Sequence, residues 1–392
     1  MSKAQGRSGR GCSVIVGLIL LVLAVVAVLI GRGTLSLPGI PGVPGVGSSA
    51  GGGGTVQVSG VIGSEKRGFF EDPRVQDVLA EHGFEVDVDT AGSRRIATDV
   101  DLNSYDFAFP SSAPAGQKIV SSVPNRGVNT PFHSPMAVAT FTPILQILER
   151  EGVARQEAGH WFIDMERYIE LARSETRWRD LGPEYPSPRT VQISTTDIRT
   201  SNSAAMYLSI LAWVTRGGGV VTSDAQVREV TDAVSPLFVG QGYTESTSAG
   251  PFADYLAQGI GARPMVMVYE AQYLGEKMAE NPRIRDDMAL AYPDPTLNST
   301  HMLVALTDDG AEVGRLLTTD PELQRLAAEH GFRPGDPSLF ATALGDHGIA
   351  EPPAFLATVD PPVYDRLEEL IEGVGAQYSS PAPPDDIEED AP

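Results

Sequence analysis

The chain has 392 residues, a formal net charge of −22 and a single cysteine, Cys12. A field of that sign repels nucleic acid and anionic lipid headgroups, so neither is expected as a partner, whereas neutral donors in a closed cleft can still hold a small anion. Everything after Cys12 lacks disulfides, and more than 300 residues can bury an adequate core without them.

Residues 1–13 carry Lys3, Arg7 and Arg10, and an apolar run follows from Val14 to Ile30, broken only by Gly17. As helix, residues 14–30 rise about 1.5 Å each and span roughly 26 Å, which just reaches across a hydrocarbon core. Basic residues on its N-terminal side predict a cytoplasmic N-terminus, with the remainder of the chain outside. A cleaved signal peptide would need a small-x-small site, and Leu29, Ile30, Gly31 and Arg32 do not provide one, so a retained single-pass membrane anchor is expected. Residues 31–54 are rich in Pro, Gly and Ser and read as a flexible tether. Gly47, Ser49 and Gly51 match the spacing of a hydrolase nucleophile elbow, but neither a strand before nor a helix after supports it.

From Thr55 onward short apolar strands alternate with amphipathic helices. Strands are predicted at 56–62, 84–89, 105–109, 136–140, 190–194, 264–268 and 302–306, and helices at 72–82, 144–151, 165–173, 203–214 and 225–234. That alternation predicts an α/β architecture with largely parallel or mixed sheets, and the length favours two lobes. Residues 72–84 align without a gap to 320–332. Both read as a helix with an Asp cap, Pro in the first turn and Gly at the end, and shared capping chemistry explains most of the matches. Residues 379–392 form an acidic tail without apolar periodicity, expected to be disordered.

No metal or cofactor is expected. The acidic stretches from Asp87 and Asp99 begin like calcium loops but place Ala91 at a ligand position and Ser104 where Gly is required. The six histidines have no metal-ligand spacing.

What stands out is a series of hydroxyl-rich turns at predicted strand ends: Ser64 with Glu65 and Lys66; Ser93 with Arg94 and Arg95; Ser111 and Ser112; Thr195 and Thr196; then Thr200, Ser201, Asn202 and Ser203 at a helix start. In open parallel sheets ligands bind beyond the carboxyl ends of strands, where helix N-termini add free N–H donors. Each serine alone is a plausible helix cap; their repetition over successive strand ends points to a shared site.

Four segments carry a family resemblance: 61–66; 132–139, with Phe132, Ser134 and Pro135; 196–203; and 264–270, with Tyr269 and Glu270, followed by the proline-flanked strand near Tyr292 and Pro295. Together they resemble the type II periplasmic, or extracellular, solute-binding proteins, particularly the molybdate- and sulfate-like branch and its membrane-anchored actinobacterial relatives. The charges of Glu65, Lys66, Arg94 and Arg95 depart from that branch's pattern. The resemblance implies two α/β lobes, 55–134 with 297–378 and 135–296, closing on a small-molecule solute by a hinge, with a membrane permease as a possible partner. It implies ligand contacts from Ser64, Ser93, Arg94, Ser112 and Ser134 of lobe one, and from Thr196, Ser201, Asn202, Ser203, Tyr269 and Glu270 of lobe two, with Gln241 as a weaker candidate. No catalytic residues are expected. Two other classes stay open: a protein-interaction module on the same fold, and a serine hydrolase built on Ser64 with Lys66 or Ser134 with His133.

Overall fold

The computed structural model describes residues 55–241, 245–353 and 356–378. The predicted anchor 14–30, the basic segment before it, the tether 31–54 and the acidic tail 379–392 lie outside them. Among the described residues no helix is long and apolar enough to cross a membrane. The described residues form one compact unit.

Two sheets organise that unit. The first contains β1 (Val56–Ile62), β2 (Phe84–Thr90), β3 (Phe107–Phe109), β4 (Gly127–Asn129) and, from far along the chain, β11 (Leu303–Ala305), in the order β2-β1-β3-β11-β4. β1 pairs in parallel with β2 and β3, whereas β11 runs antiparallel to β3 and β4. Side chains of a strand alternate between faces, and here both faces are covered. Ile62, Phe107 and Phe109 join one core with Phe69, Phe70 and Leu326, while Val61, Ala108 and Val304 join another with Ile96 and Ile119.

The second sheet is built round β5 (Phe132–Phe141). β6 (Ala154–Glu157), β7 (His160–Asp164), β8 (Met265–Tyr269), β9 (Met288–Asp294), β10 (Thr296–Thr300), β12 (Arg333–Pro334) and β13 (Thr358–Val359) complete it. β5 is antiparallel to β8, β9, β10 and β12, so the molecule is mixed rather than largely parallel. β5 starts in the first core with Phe132 and ends in the larger one with Met136, Val138 and Phe141. Its partner β10 places Ser299 opposite Ser134, and the chain then returns to the first sheet through β11.

Residues 190–194, expected as a strand, form only isolated bridges, Thr190 with Arg177 and Ser194 with Val266. Pro186 and Pro188 just upstream have no N–H to extend a ladder. The predicted helix at 203–214 is Asn202–Thr215, and its residues 202–212 are all buried, so it is a core helix rather than an amphipathic one. Residues 337–378, grouped above with the first lobe, send Phe340, Leu344, Leu370 and Ile371 into the larger core.

The two aligned helices, Pro73–Glu81 and Pro321–Glu329, are capped as the sequence suggests, by Asp72 and Asp320, and Gly83 and Gly331 follow at φ +88° and +84°. They are also joined reciprocally: His82 Nε2 lies 2.9 Å from Asp320 Oδ2, and His330 Nε2 lies 2.9 Å from Asp72 Oδ2.

Candidate ligand-binding cleft

Parallel register sets up the first half of the site. Ile62 of β1 stands opposite Thr90 of β2 and Phe109 of β3, so the turns after all three strands emerge side by side. The first turn is a short 3-10 turn, Ser64–Lys66; the second opens the helix Ser93–Thr98; the third carries Ser111 and Ser112 into the helix Ala113–Ser122. The second half comes from the start of the buried helix Asn202–Thr215, from Tyr269 at the end of β8, and from Thr247 and Ser248 before the helix Ala249–Gln258. These groups close around a cavity of about 10 Å³, roughly the room of one water molecule.

Of the eleven residues singled out from sequence, Ser64, Ser93, Ser201, Asn202, Ser203 and Tyr269 line this cavity. Asn202 Nδ2 donates to Tyr269 Oη at 2.8 Å and reaches the Ser111 carbonyl at 3.4 Å, which joins the two halves directly. Ser203 Oγ lies 3.2 Å from Ser201 Oγ and 2.9 Å from Thr196 Oγ1, so Thr196 supports the lining from behind. Ser201 precedes the helix without a side-chain cap bond, so its hydroxyl, shared with Ser203, stays in the cavity lining.

The other four do not line the cavity. Arg94 is paired with Glu368 (Nη2 to Oε2, 2.6 Å) and donates to the Arg199 carbonyl at 2.8 Å. Glu270 is fully buried and accepts from Arg333 Nε at 2.6 Å and Tyr292 Oη at 2.6 Å. Ser134 Oγ accepts from the Ala271 N–H at 3.0 Å, fixing the helix that follows Tyr269. Ser112 is buried at the start of its helix and does not line the cavity. Gln241 Oε1 takes the Thr195 N–H at 2.7 Å and lines a separate groove with Arg189 and Arg263.

The groups that set the electrostatics include Glu65 and Lys66, which the sequence marks as departures from the family pattern without placing them among the ligand contacts. Glu65 is the one charged residue among the lining residues, with a side chain 3% exposed. Its Oε1 accepts from Lys66 Nζ at 2.5 Å and from Ser111 Oγ at 2.5 Å, and His301 Nδ1 lies 3.4 Å away. Lys66 is wholly buried and also donates to Ser111 Oγ at 3.0 Å. Burial pushes the Lys66 ammonium below its ordinary range, against the pull of Glu65. Burial, and then the charge of Lys66, hold His301 well below the usual imidazole value. Burial, reinforced by Glu65, raises the Tyr269 phenol, so it is a neutral donor and acceptor at any physiological pH. Glu65 and Ser111 were visible as members of the first and third turns. Thr247, Ser248 and His301 had no local signal, because only the chain's return brings them here.

The hydrolase sketches meet a different geometry. Lys66 reaches Ser111 rather than Ser64, and Ser134 is bonded to backbone rather than to His133. Ser111 Oγ accepts from both Lys66 and Ser93 while donating to Glu65, so neither of its lone pairs is left to attack a substrate. Among the described residues no group of three or more His, Cys, Asp or Glu is placed to hold a metal ion.

No protein-family model matches the chain, and no curated protein matches its sequence. Solved structures do match in fold. Iron-bound HitA from Pseudomonas aeruginosa aligns at 12% identity over 82% of this chain and 99% of that one, with a TM-score of 0.52. The periplasmic binding protein AfuA from Actinobacillus pleuropneumoniae, with fructose-6-phosphate bound, aligns at 10% over 81% and 96%, with a TM-score of 0.51. The periplasmic binding protein P5PA aligns at 11% over 81% and 97%, with a TM-score of 0.50. At such identities the likeness is one of fold: the described residues adopt the mixed α/β, two-lobed architecture of periplasmic binding proteins.

Proposed function

We propose that this chain is a membrane-anchored extracytoplasmic solute-binding protein that traps a small polar solute between its lobes, for uptake through a membrane permease or for sensing. One observation carries the reading: hydroxyl and amide groups from the turns of the first sheet and from the helix start beside the second converge on one small cavity and are cross-linked through Asn202, Tyr269 and Ser111. Such a cleft binds by hinge closure, each lobe supplying contacts that the other completes. The run 14–30 and the basic residues before it support anchorage with the two-lobed unit outside.

A thermal-shift screen against anions, amino acids and sugars tests this reading, with Ser201→Ala and Asn202→Ala as comparisons. A solute that raises the wild-type melting temperature should bind about tenfold more weakly to either variant, the effect of one lost buried hydrogen bond. Wild-type affinity in both variants would place the solute elsewhere, and silence across the screen would count against a solute-binding role.

A further inference from the structure

The resting charge of the cleft says which solutes it accepts, an inference that rests on the solute-trapping reading. The lining carries one ionic group, and it is an acid. Glu65 Oε1 is engaged by Lys66 and Ser111, but Oε2 forms no hydrogen bond among the described residues. It is not sealed off, because it is not among the buried atoms that lack a partner; it is an acceptor in the cavity wall that solvent or a solute can reach. Three cations that might offset it for an incoming anion are committed elsewhere: Arg94 to Glu368, Arg199 to Asp197 at 2.5 Å, and Lys66 to Oε1 of Glu65 itself; none of them, nor Arg95, lines the cavity. Ser64, Ser201 and Ser203 can donate or accept, and therefore do not impose a preference.

We propose that Glu65 Oε2 is the specificity-determining acceptor of the cleft, and that the solute presents an N–H or O–H donor to it, as an amine or polyol does, rather than an inorganic oxyanion. A free oxyanion would find neutral hydroxyl and N–H donors there but would be brought against the Glu65 carboxylate with no lining cation to offset the repulsion. An ammonium or hydroxyl would complete the one charged acceptor of the lining. The adjoining groove of about 390 Å³ shares Ser64 and Glu65 with the cavity and runs past Phe252 and Leu256. It gives the remainder of such a solute a path outward from its head group.

Calorimetric titration of the full chain in detergent micelles tests the assignment, with two sets of probes. One set is sulfate, molybdate and phosphate; the other is the amino acids, spermidine, glucose and myo-inositol. The wild type is expected to bind a member of the second set and none of the first. Glu65→Gln should weaken that binding at least tenfold. Should Glu65→Gln fail to fold with Lys66 left unpaired, Glu65→Gln combined with Lys66→Met removes both charges and is expected to show the same loss. Wild-type binding of an oxyanion, with the second set silent, would overturn the assignment and leave solute trapping intact. Unchanged affinity for the amine or polyol in the Glu65 variants would also overturn it. Binding of neither set would overturn both readings.

Discussion

Closure of the cleft depends on a missing methyl group at position 92. Gly92 begins the second turn of the first sheet, and a Cβ built there would lie 2.3 Å from the Thr200 carbonyl oxygen and 3.4 Å from that of Ser246. Both obstacles are backbone atoms, so no rotamer change relieves the clash. Ordinary contact requires the two segments to separate by about 1 Å, in a region packed tightly enough that overpacking typically costs about 1–3 kcal/mol. At 1.4 kcal/mol per tenfold, Gly92→Ala should lower the closure equilibrium by about 5- to 140-fold. The backbone itself offers no objection, since φ −61° and ψ 135° suit any residue. The variant should therefore fold, give a larger radius of gyration by small-angle scattering of the unit 54–392, and bind its solute more weakly. Gly335→Ala, where a Cβ meets nothing within 4 Å, serves as control. Scattering and affinity identical to wild type in Gly92→Ala would refute the view that these segments must meet.

Three further outcomes follow from the same geometry. Arg333→Met strands the buried Glu270 carboxylate and should cost about 3–5 kcal/mol in urea unfolding, while Arg333→Met combined with Glu270→Met should recover much of it; a loss below about 1 kcal/mol for the single variant would count against the pair. His301 and His133 are both held below the ordinary imidazole value of 6.5, His301 by burial and then Lys66, His133 by burial and then Arg333. The unfolded chain then binds protons that the native protein refuses, so unfolding free energy should fall as pH drops below about 6.5, with a shallower slope in His301→Gln, checked by denaturant titrations at several pH values. External protease on intact cells should cut within 31–54 and release the two-lobed unit; protection until lysis would contradict the proposed topology.

How much of this was legible beforehand depended on how local each signal was. β1, β2 and the helices capped by Asp72 and Asp320 carry their own period and punctuation, and the structure places them within a residue or two of the expected bounds. The mixed pairing of β5 was not legible, because strand direction is set by partners 125 or more residues away. In the cleft, hydroxyls at strand ends were recognisable from position alone. The commitments of Arg94 to Glu368 and of Glu270 to Arg333 were not, since each partner is remote in sequence. Charges beside a glycine- and serine-rich turn look like ligand contacts until the fold supplies a counter-ion. Lys66 makes the same point in reverse: it turns inward to Ser111 and His301, across 45 and 235 residues, leaving Glu65 as the acid that faces the cavity.

The central claim is that both halves of the cleft grip one solute, and hydrogen exchange with and without the solute identified by screening tests it most directly. Protection is expected together in 63–66, 91–95 and 201–206, segments that belong to opposite sides of the cavity and close on it jointly. Protection confined to one side, or centred on the separate groove of Arg189, Gln241 and Arg263, would contradict it.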